Sequence, residues 1–358
     1  MKGLYFSVKK SVHVRILGIL LLSVGISVWA KQSPENNYGA VIETDSTALK
    51  NGILEKVVIY PQRELGSAKR IIRKGFLARY DNAQATILVC HGFKCEKDDV
   101  NIMRRVFPRP RFNVMAFDFR AHGENPEGQY CTFGRDEALD VIAAVKFLKS
   151  HPEVYDKPII AYGFSMGAAS AIEAQAKDPS LFEAMILDCP FDSSENVLRR
   201  GLENIKFTLF GYEFSLPCKS LLERYAFHPY IQSLVKTILR SVVHIDSQNI
   251  PVHICRFSPA ESIAKVNIPC FFIHCKSDEK FSVDSIKLIF KKANGPKQLW
   301  LTQGRRHFDS YFFNPEKYTQ RIRTFLNQVV NGEFKKGPLK EIIEDDDVGM
   351  YTVQRSEA

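Results

Sequence analysis

None of the eight cysteines forms a Cys-x-x-Cys pair, which sets aside the common zinc-knuckle and dithiol redox motifs. No cofactor and no metal are expected. No segment repeats at a solenoid period. The basic residues are scattered in pairs such as Arg199-Arg200 and Arg305-Arg306, with no interleaved aromatic stripe, so no nucleic-acid partner is expected. The first 30 residues carry no acids, and four of the positive charges behind the net +9 (Lys2, Lys9, Lys10 and Arg15) lie there. The apolar run that follows, Ile16–Val28, falls short of the ~20 residues of a membrane span. It ends in Val28-Trp29-Ala30, whose small residues suit signal-peptidase cleavage after Ala30. Residues 1–30 therefore read as a signal peptide or, if uncleaved, a membrane anchor. The folded part is expected to be exported (periplasmic or secreted) or held at the inner membrane by possible association through this segment. No cysteine follows the apolar run directly, which argues against a lipoprotein.

Composition is that of a folded globular chain, 45% hydrophobic and 25% charged over 358 residues. That length suits one large α/β domain with additions. Residues 31–52 read as a linker. Ile53–Tyr60 and Ile71–Tyr80 read as opening strands, Val100–Phe107 as a helix and Phe112–Asp118 as a strand. Glu137–His151 is an amphipathic helix, with Ala138, Val141, Ile142, Val145 and Leu148 at helical spacing. Ala184–Asp188 is a strand, Val283–Ala293 a helix and Lys317–Val330 the closing helix. This alternation predicts a doubly wound, mostly parallel sheet with helices on both faces. Cys90, Cys189, Cys270 and Cys275 fall in or at the ends of buried strands and read as free thiols. Cys95, Cys131, Cys218 and Cys255 fall in loops or an insertion and would be free to pair in an oxidising compartment. The tail, 333–358, is acidic around Glu344-Asp345-Asp346-Asp347 and reads as disordered.

The strongest local signal is Gly163-Phe164-Ser165-Met166-Gly167, between the apolar strand Lys157–Tyr162 and the small-residue helix Ala168–Ala174. A Gly-x-Ser-x-Gly at a strand-to-helix turn lifts the serine out of the sheet, where a base reaches its hydroxyl. A serine hydroxyl alone is a weak nucleophile, so a base and an orienting acid are needed. Ile268–Cys275 reads as a strand that runs into Asp278, with Glu279 and Asp284 as local alternatives. Lys297–Leu301 reads as a strand followed by a loop that carries His307. The oxyanion of a tetrahedral intermediate needs preorganised donors. The backbone N–H of Met166 and that of Phe93, in the His91-Gly92-Phe93 turn after the strand Ala85–Cys90, are the candidates.

Over residues 53–330 the chain resembles the α/β-hydrolase superfamily, in particular its serine hydrolases of the esterase, lipase and acylglycerol-hydrolase kind. The resemblance rests on His91-Gly92-Phe93, Asp118-Phe119-Arg120-Ala121-His122-Gly123-Glu124-Asn125, the serine turn, Asp278 and His307. Ala121, Asn125 and Cys275 stand where the family usually has glycine, serine and glycine. The resemblance implies an α/β-hydrolase fold with core segments 53–190 and 259–332. It also implies a helical cap insertion at 191–258, which holds the apolar runs Phe207–Phe210 and Ile231–Leu239. It implies Ser165 as nucleophile, His307 as base and Asp278 as acid, acting on a small-molecule carboxylic ester or thioester with an apolar acyl group. A serine peptidase of the same fold is the alternative enzyme, although no propeller and no acidic site for a peptide amine is visible. An inactive binding protein of the same fold is the non-enzymatic alternative.

Overall fold

In this computed structural model, residues 38–49, 52–61, 71–124, 129–203, 206–209, 212–215, 224, 227–228, 250–336, 340–345 and 351–355 are described. The strands of the centre are mostly apolar, as strands covered on both faces tend to be. They are β4 (Ala85–Cys90), β5 (Phe112–Phe117), β6 (Ile159–Phe164), β7 (Ala184–Asp188) and β10 (Cys270–Cys275), each fully buried. With β11 (Lys297–Thr302) and β12 (Lys340–Asp345) they form a parallel run in the order β5-β4-β6-β7-β10-β11-β12. β1 (Gly39–Leu49), β2 (Gly52–Ile59) and β3 (Arg73–Arg79) continue it antiparallel on one side, and β13 (Tyr351–Arg355) on the other.

The period of two along each strand sends alternate side chains to opposite layers. Leu88, Met115, Ala161, Met185 and Phe272 face one layer of helices: α1 (Glu137–Ser150), α2 (Met166–Lys177) and α5 (Val283–Lys292). Ile87, Val114, Ile160, Ile186 and Phe271 face the other, built from α7 (Pro315–Val330) and a 3-10 turn at Asp99–Arg105. The chain order reverses between β4 and β6, which opens a crevice at the strands' carboxyl ends where ligands bind in such sheets.

Beyond the core strands, several sequence expectations need correction. The supposed linker contains β1, an edge strand whose exposed Ile42, Glu43, Thr44, Asp45 and Ser46 hide its pairing with β2. The helix expected at Val100–Phe107 is the shorter 3-10 turn. The supposedly disordered tail supplies β12 and β13: Ile343 is buried, and Asp345 accepts from Trp300 Nε1 (3.0 Å) and pairs with Lys317 Nζ (2.5 Å). Those partners neutralise the carboxylate and make an ordered acidic strand possible. Within the insertion, α3 (Ser194–Glu203) is helical, but Phe207–Leu209 belongs to a hairpin of β8 (Lys206–Leu209) and β9 (Tyr212–Ser215). Alternation of aromatic and polar residues favours strands there. Ile231–Leu239, Cys218 and the N-terminal 1–30 segment lie outside the described residues. Among the described residues no helix is long and apolar enough to cross a membrane. The described cysteines are free thiols, and Cys131, expected in an accessible loop, is fully buried with its Sγ 3.5 Å from Met166 Sδ.

The Asp118–Glu124 segment is tied to α1 by a buried charge cluster. Asp140 on α1 takes Arg120 Nε (3.1 Å), Nη2 (3.0 Å) and backbone N (3.1 Å). Arg73 Nε stands 3.1 Å from Asp140 Oδ1, off the line of a hydrogen bond but close enough to pair by charge. Burial favours the neutral acid, yet the two guanidinium groups outweigh it and hold Asp140 below its ordinary pKa. With a depressed folded value, this pair stabilises the protein fully above the unfolded carboxylate pKa. The contribution is lost as pH falls through the folded value. Asp140→Asn removes the carboxylate that pairs with two buried guanidinium groups and should cost about 3–5 kcal/mol, read as a lower urea midpoint at neutral pH.

Candidate active site

Ser165 lies between β6 and α2 with φ 52° and ψ −119°, a strained combination for a residue with a side chain, costing about 1–3 kcal/mol. The flanking glycines make the turn possible. A Cβ on Gly167 would overlap the Cys90 carbonyl, and one on Gly163 would stand 2.7 Å from the Gly167 oxygen. The Ser165 amide is held by the Asp188 carbonyl at the end of β7 (2.8 Å).

Three side chains named from the sequence come together here. His307 Nε2 lies 2.8 Å from Ser165 Oγ, and its Nδ1 lies 2.8 Å from Asp278 Oδ2. Since a carboxylate only accepts, Nδ1 carries the proton and Nε2 offers its lone pair to the serine hydroxyl. The other oxygen of Asp278 accepts from the amides of Lys280 (2.7 Å) and Phe281 (3.0 Å). Burial would raise the Asp278 pKa, but the His307 hydrogen bond and charge and the Phe281 amide outweigh it. The carboxyl is held below its ordinary 3.8. The alternatives Glu279 and Asp284 are both exposed. Arg305 and Arg306 are solvated beside the histidine.

The amides of Met166, first residue of α2, and of Phe93 have no acceptor among the described residues. The Phe93 loop is braced by His91, which sequence reading marked only as part of a turn. His91 Nδ1 donates to the Gly92 carbonyl (2.8 Å), and its Nε2 accepts from the Phe119 amide (3.0 Å). Burial pushes its pKa down to about 3, so it stays neutral and ties the loop after β4 to the one after β5. The Asp118 segment does similar work: Asp118 binds the Lys97 amide (2.7 Å) and ammonium (3.2 Å).

Aromatic rings pack beside His307 and the residue preceding the serine. Phe281 meets His307 edge-on at 5.0 Å, and Phe308 stacks on Phe164 at 4.2 Å. Phe281 packs with Phe191 and Ala169, and the half-buried Phe133 and Phe257 adjoin them. They come from six separate segments, so no local pattern could have grouped them.

A family model described as "Serine aminopeptidase, S33" matches residues 81–209, the stretch from β4 through the serine turn into the insertion. The structure resembles the esterase Pf2001 of Pyrococcus furiosus, with a TM-score of 0.54 at 24% identity over 76% of this chain and 93% of that one. The chain has the α/β-hydrolase fold. An acetyl xylan esterase from Paenibacillus sp. R4 shares this hydrolase fold, with a TM-score of 0.52 at 17% identity over 79% of this chain and 88% of the other. In sequence, the chain is 27% identical to the uncharacterized protein YqkD of Bacillus subtilis over 259 residues, 72% of this chain and 75% of the relative. It is 22% identical to YfhR of Escherichia coli K12 over 253 residues, 70% and 73% respectively.

Proposed function

We propose that this α/β-hydrolase is a serine hydrolase that cleaves carboxylic esters or thioesters through an acyl-enzyme, with Ser165, His307 and Asp278 as its triad. The hydrogen-bonded line from Ser165 Oγ through His307 to Asp278, 2.8 Å at each link, carries this reading. Ser165 Oγ attacks the carbonyl carbon as His307 Nε2 takes its proton, and Asp278 stabilises the imidazolium that forms. The amides of Phe93 and Met166 receive the oxyanion. His307 then returns the proton to the departing alcohol or thiol. Water, deprotonated by the same nitrogen, releases the acid and restores the serine. Side chains and water supply every step, so no cofactor is invoked. The Pyrococcus and Paenibacillus proteins of this fold are esterases, which favours this substrate class.

The phenylalanines beside His307 point to an apolar acyl group as the bound portion, with the insertion at 191–258 as its cover. Burial of apolar area is worth about 25 cal/mol per Å², or about 0.8 kcal/mol per methylene. The specificity constant for p-nitrophenyl esters should therefore rise about fourfold per added methylene until the pocket is full. A profile that is flat or falling from acetate onward contradicts an apolar acyl pocket. The family description favours a second reading, a peptidase. Turnover of aminoacyl p-nitroanilides exceeding that of p-nitrophenyl esters would establish it. The basic and apolar residues 1–30 support placement outside the cytoplasm, free or anchored. N-terminal sequencing from fractionated cells tests that: a start at Lys31 in the extracytoplasmic fraction agrees, as does an intact chain in membranes. An intact chain in the cytosol does not.

A further inference from the structure

We infer that Cys189, His274 and Asp278 form a binding site for a zinc-class divalent cation, and that filling it shuts off the hydrolysis proposed above. The second half rests on that functional reading; the binding site does not. The donors come from the carboxyl ends of adjacent parallel strands: Cys189 follows β7, His274 lies in β10, and Asp278 follows β10 closely. The Cys189 amide donates to the Ile273 carbonyl (2.8 Å), which brings the thiol alongside His274. One atom from each of the three side chains lies within 4.8 Å of the other two. Tetrahedral zinc, with bonds of about 2.0–2.3 Å, needs ligand separations of about 3.5 Å. Side-chain rotations that move each atom by about 1 Å close that gap.

The state of His274 is the second observation. The residue is fully buried, and its Nε2 lies 3.2 Å from the Phe281 carbonyl, so that nitrogen carries the proton. Nδ1 then presents a lone pair, and it has no partner among the described residues. A histidine whose one nitrogen donates to a backbone carbonyl while the other stands bare has the arrangement of a metal ligand. Sulfur, imidazole and a single carboxylate suit zinc or cobalt, whereas magnesium and calcium prefer all-oxygen sets. Three protein ligands leave the fourth position for water. Asp278 is shared with His307. A cation bound there takes up the carboxylate that orients the imidazole, and places two positive charges beside the imidazolium that hydrolysis must form.

The test is titration of the reduced full-length chain with Co²⁺, followed by its sulfur-to-metal charge-transfer absorption. A band saturating at one equivalent and displaced by Zn²⁺ is expected. Ser165→Ala should keep it. Cys189→Ser should lose it, and His274→Gln should weaken binding by about 100-fold or more, which covers the case in which one variant fails to fold. No band in the wild type, or an undiminished band in folded Cys189→Ser, overturns the site. With Zn²⁺, ester turnover should fall in proportion to occupancy, recover on adding a chelator, and resist Zn²⁺ in Cys189→Ser. Equal inhibition of that variant overturns the switch. A normal band in a chain without ester turnover leaves the metal site standing and removes the functional reading instead.

Discussion

Ser165→Ala should lower ester turnover by about 10⁴- to 10⁶-fold with unfolding midpoints no lower than those of the parent. The activity loss follows from removing the oxygen that lies 2.8 Å from His307 Nε2. The stability expectation follows from what the substitution spares. Among the described residues Ser165 Oγ bonds only His307, whereas the Ser165 amide holds β7 through the Asp188 carbonyl and is retained. His307→Ala should lose nearly as much, and the double variant little more than either alone, because serine and base act as one unit. Steady-state kinetics on a p-nitrophenyl ester, with the three variants at matched purity, measures this. Additive losses in the double variant contradict a shared proton transfer.

Asp278→Asn should cost about 10⁴-fold in turnover, and the hydrogen bonds give the reason. One Asp278 oxygen is committed to the Lys280 and Phe281 amides, so an asparagine carbonyl would take that place. Its NH₂ would then face His307 Nδ1, which must accept instead of donate. The ring proton moves to Nε2, and the imidazole can no longer take the serine proton. Asp284→Asn, on an exposed first turn of α5, should leave turnover within about twofold. The depressed pKa of Asp278 adds a pH expectation. Its carboxylate stays ionised to more acidic pH than that of an ordinary aspartate. The stability its pairing contributes is present above the unfolded carboxylate pKa and lost as pH falls through the folded value. A normal Asp278→Asn beside an inactive Asp284→Asn would assign the acid to the wrong carboxylate.

The serine turn could be read from sequence because its glycines answer a local demand: side chains at 163 and 167 would meet backbone that the tight turn brings close. Asp278 and His307 were legible for a related reason. Each follows an apolar strand directly, and such strand ends point to one crevice. Edge elements were harder. β1 exposes Ile42 through Ser46, and β12 carries Glu341, Glu344 and Asp345, so neither shows the apolar alternation of a buried strand. Asp345 reads as a repelling charge until Trp300 and Lys317, both distant in the chain, are seen to meet it. The same limit hid the packing of Phe281 on His307 and the convergence of Cys189 with His274. Neither has a fixed spacing, and only the strand order brings their segments together.

The central claim, that Ser165 is the nucleophile of a serine hydrolase, is tested most directly by a fluorophosphonate probe and peptide mapping of the labelled full-length chain. Attack by an activated serine displaces fluoride and leaves a stable phosphonate ester on its oxygen. One adduct is expected, on the peptide containing Gly163-Phe164-Ser165-Met166-Gly167, absent from Ser165→Ala and strongly slowed in His307→Ala. An adduct on another residue, or labelling that persists in Ser165→Ala, would contradict it.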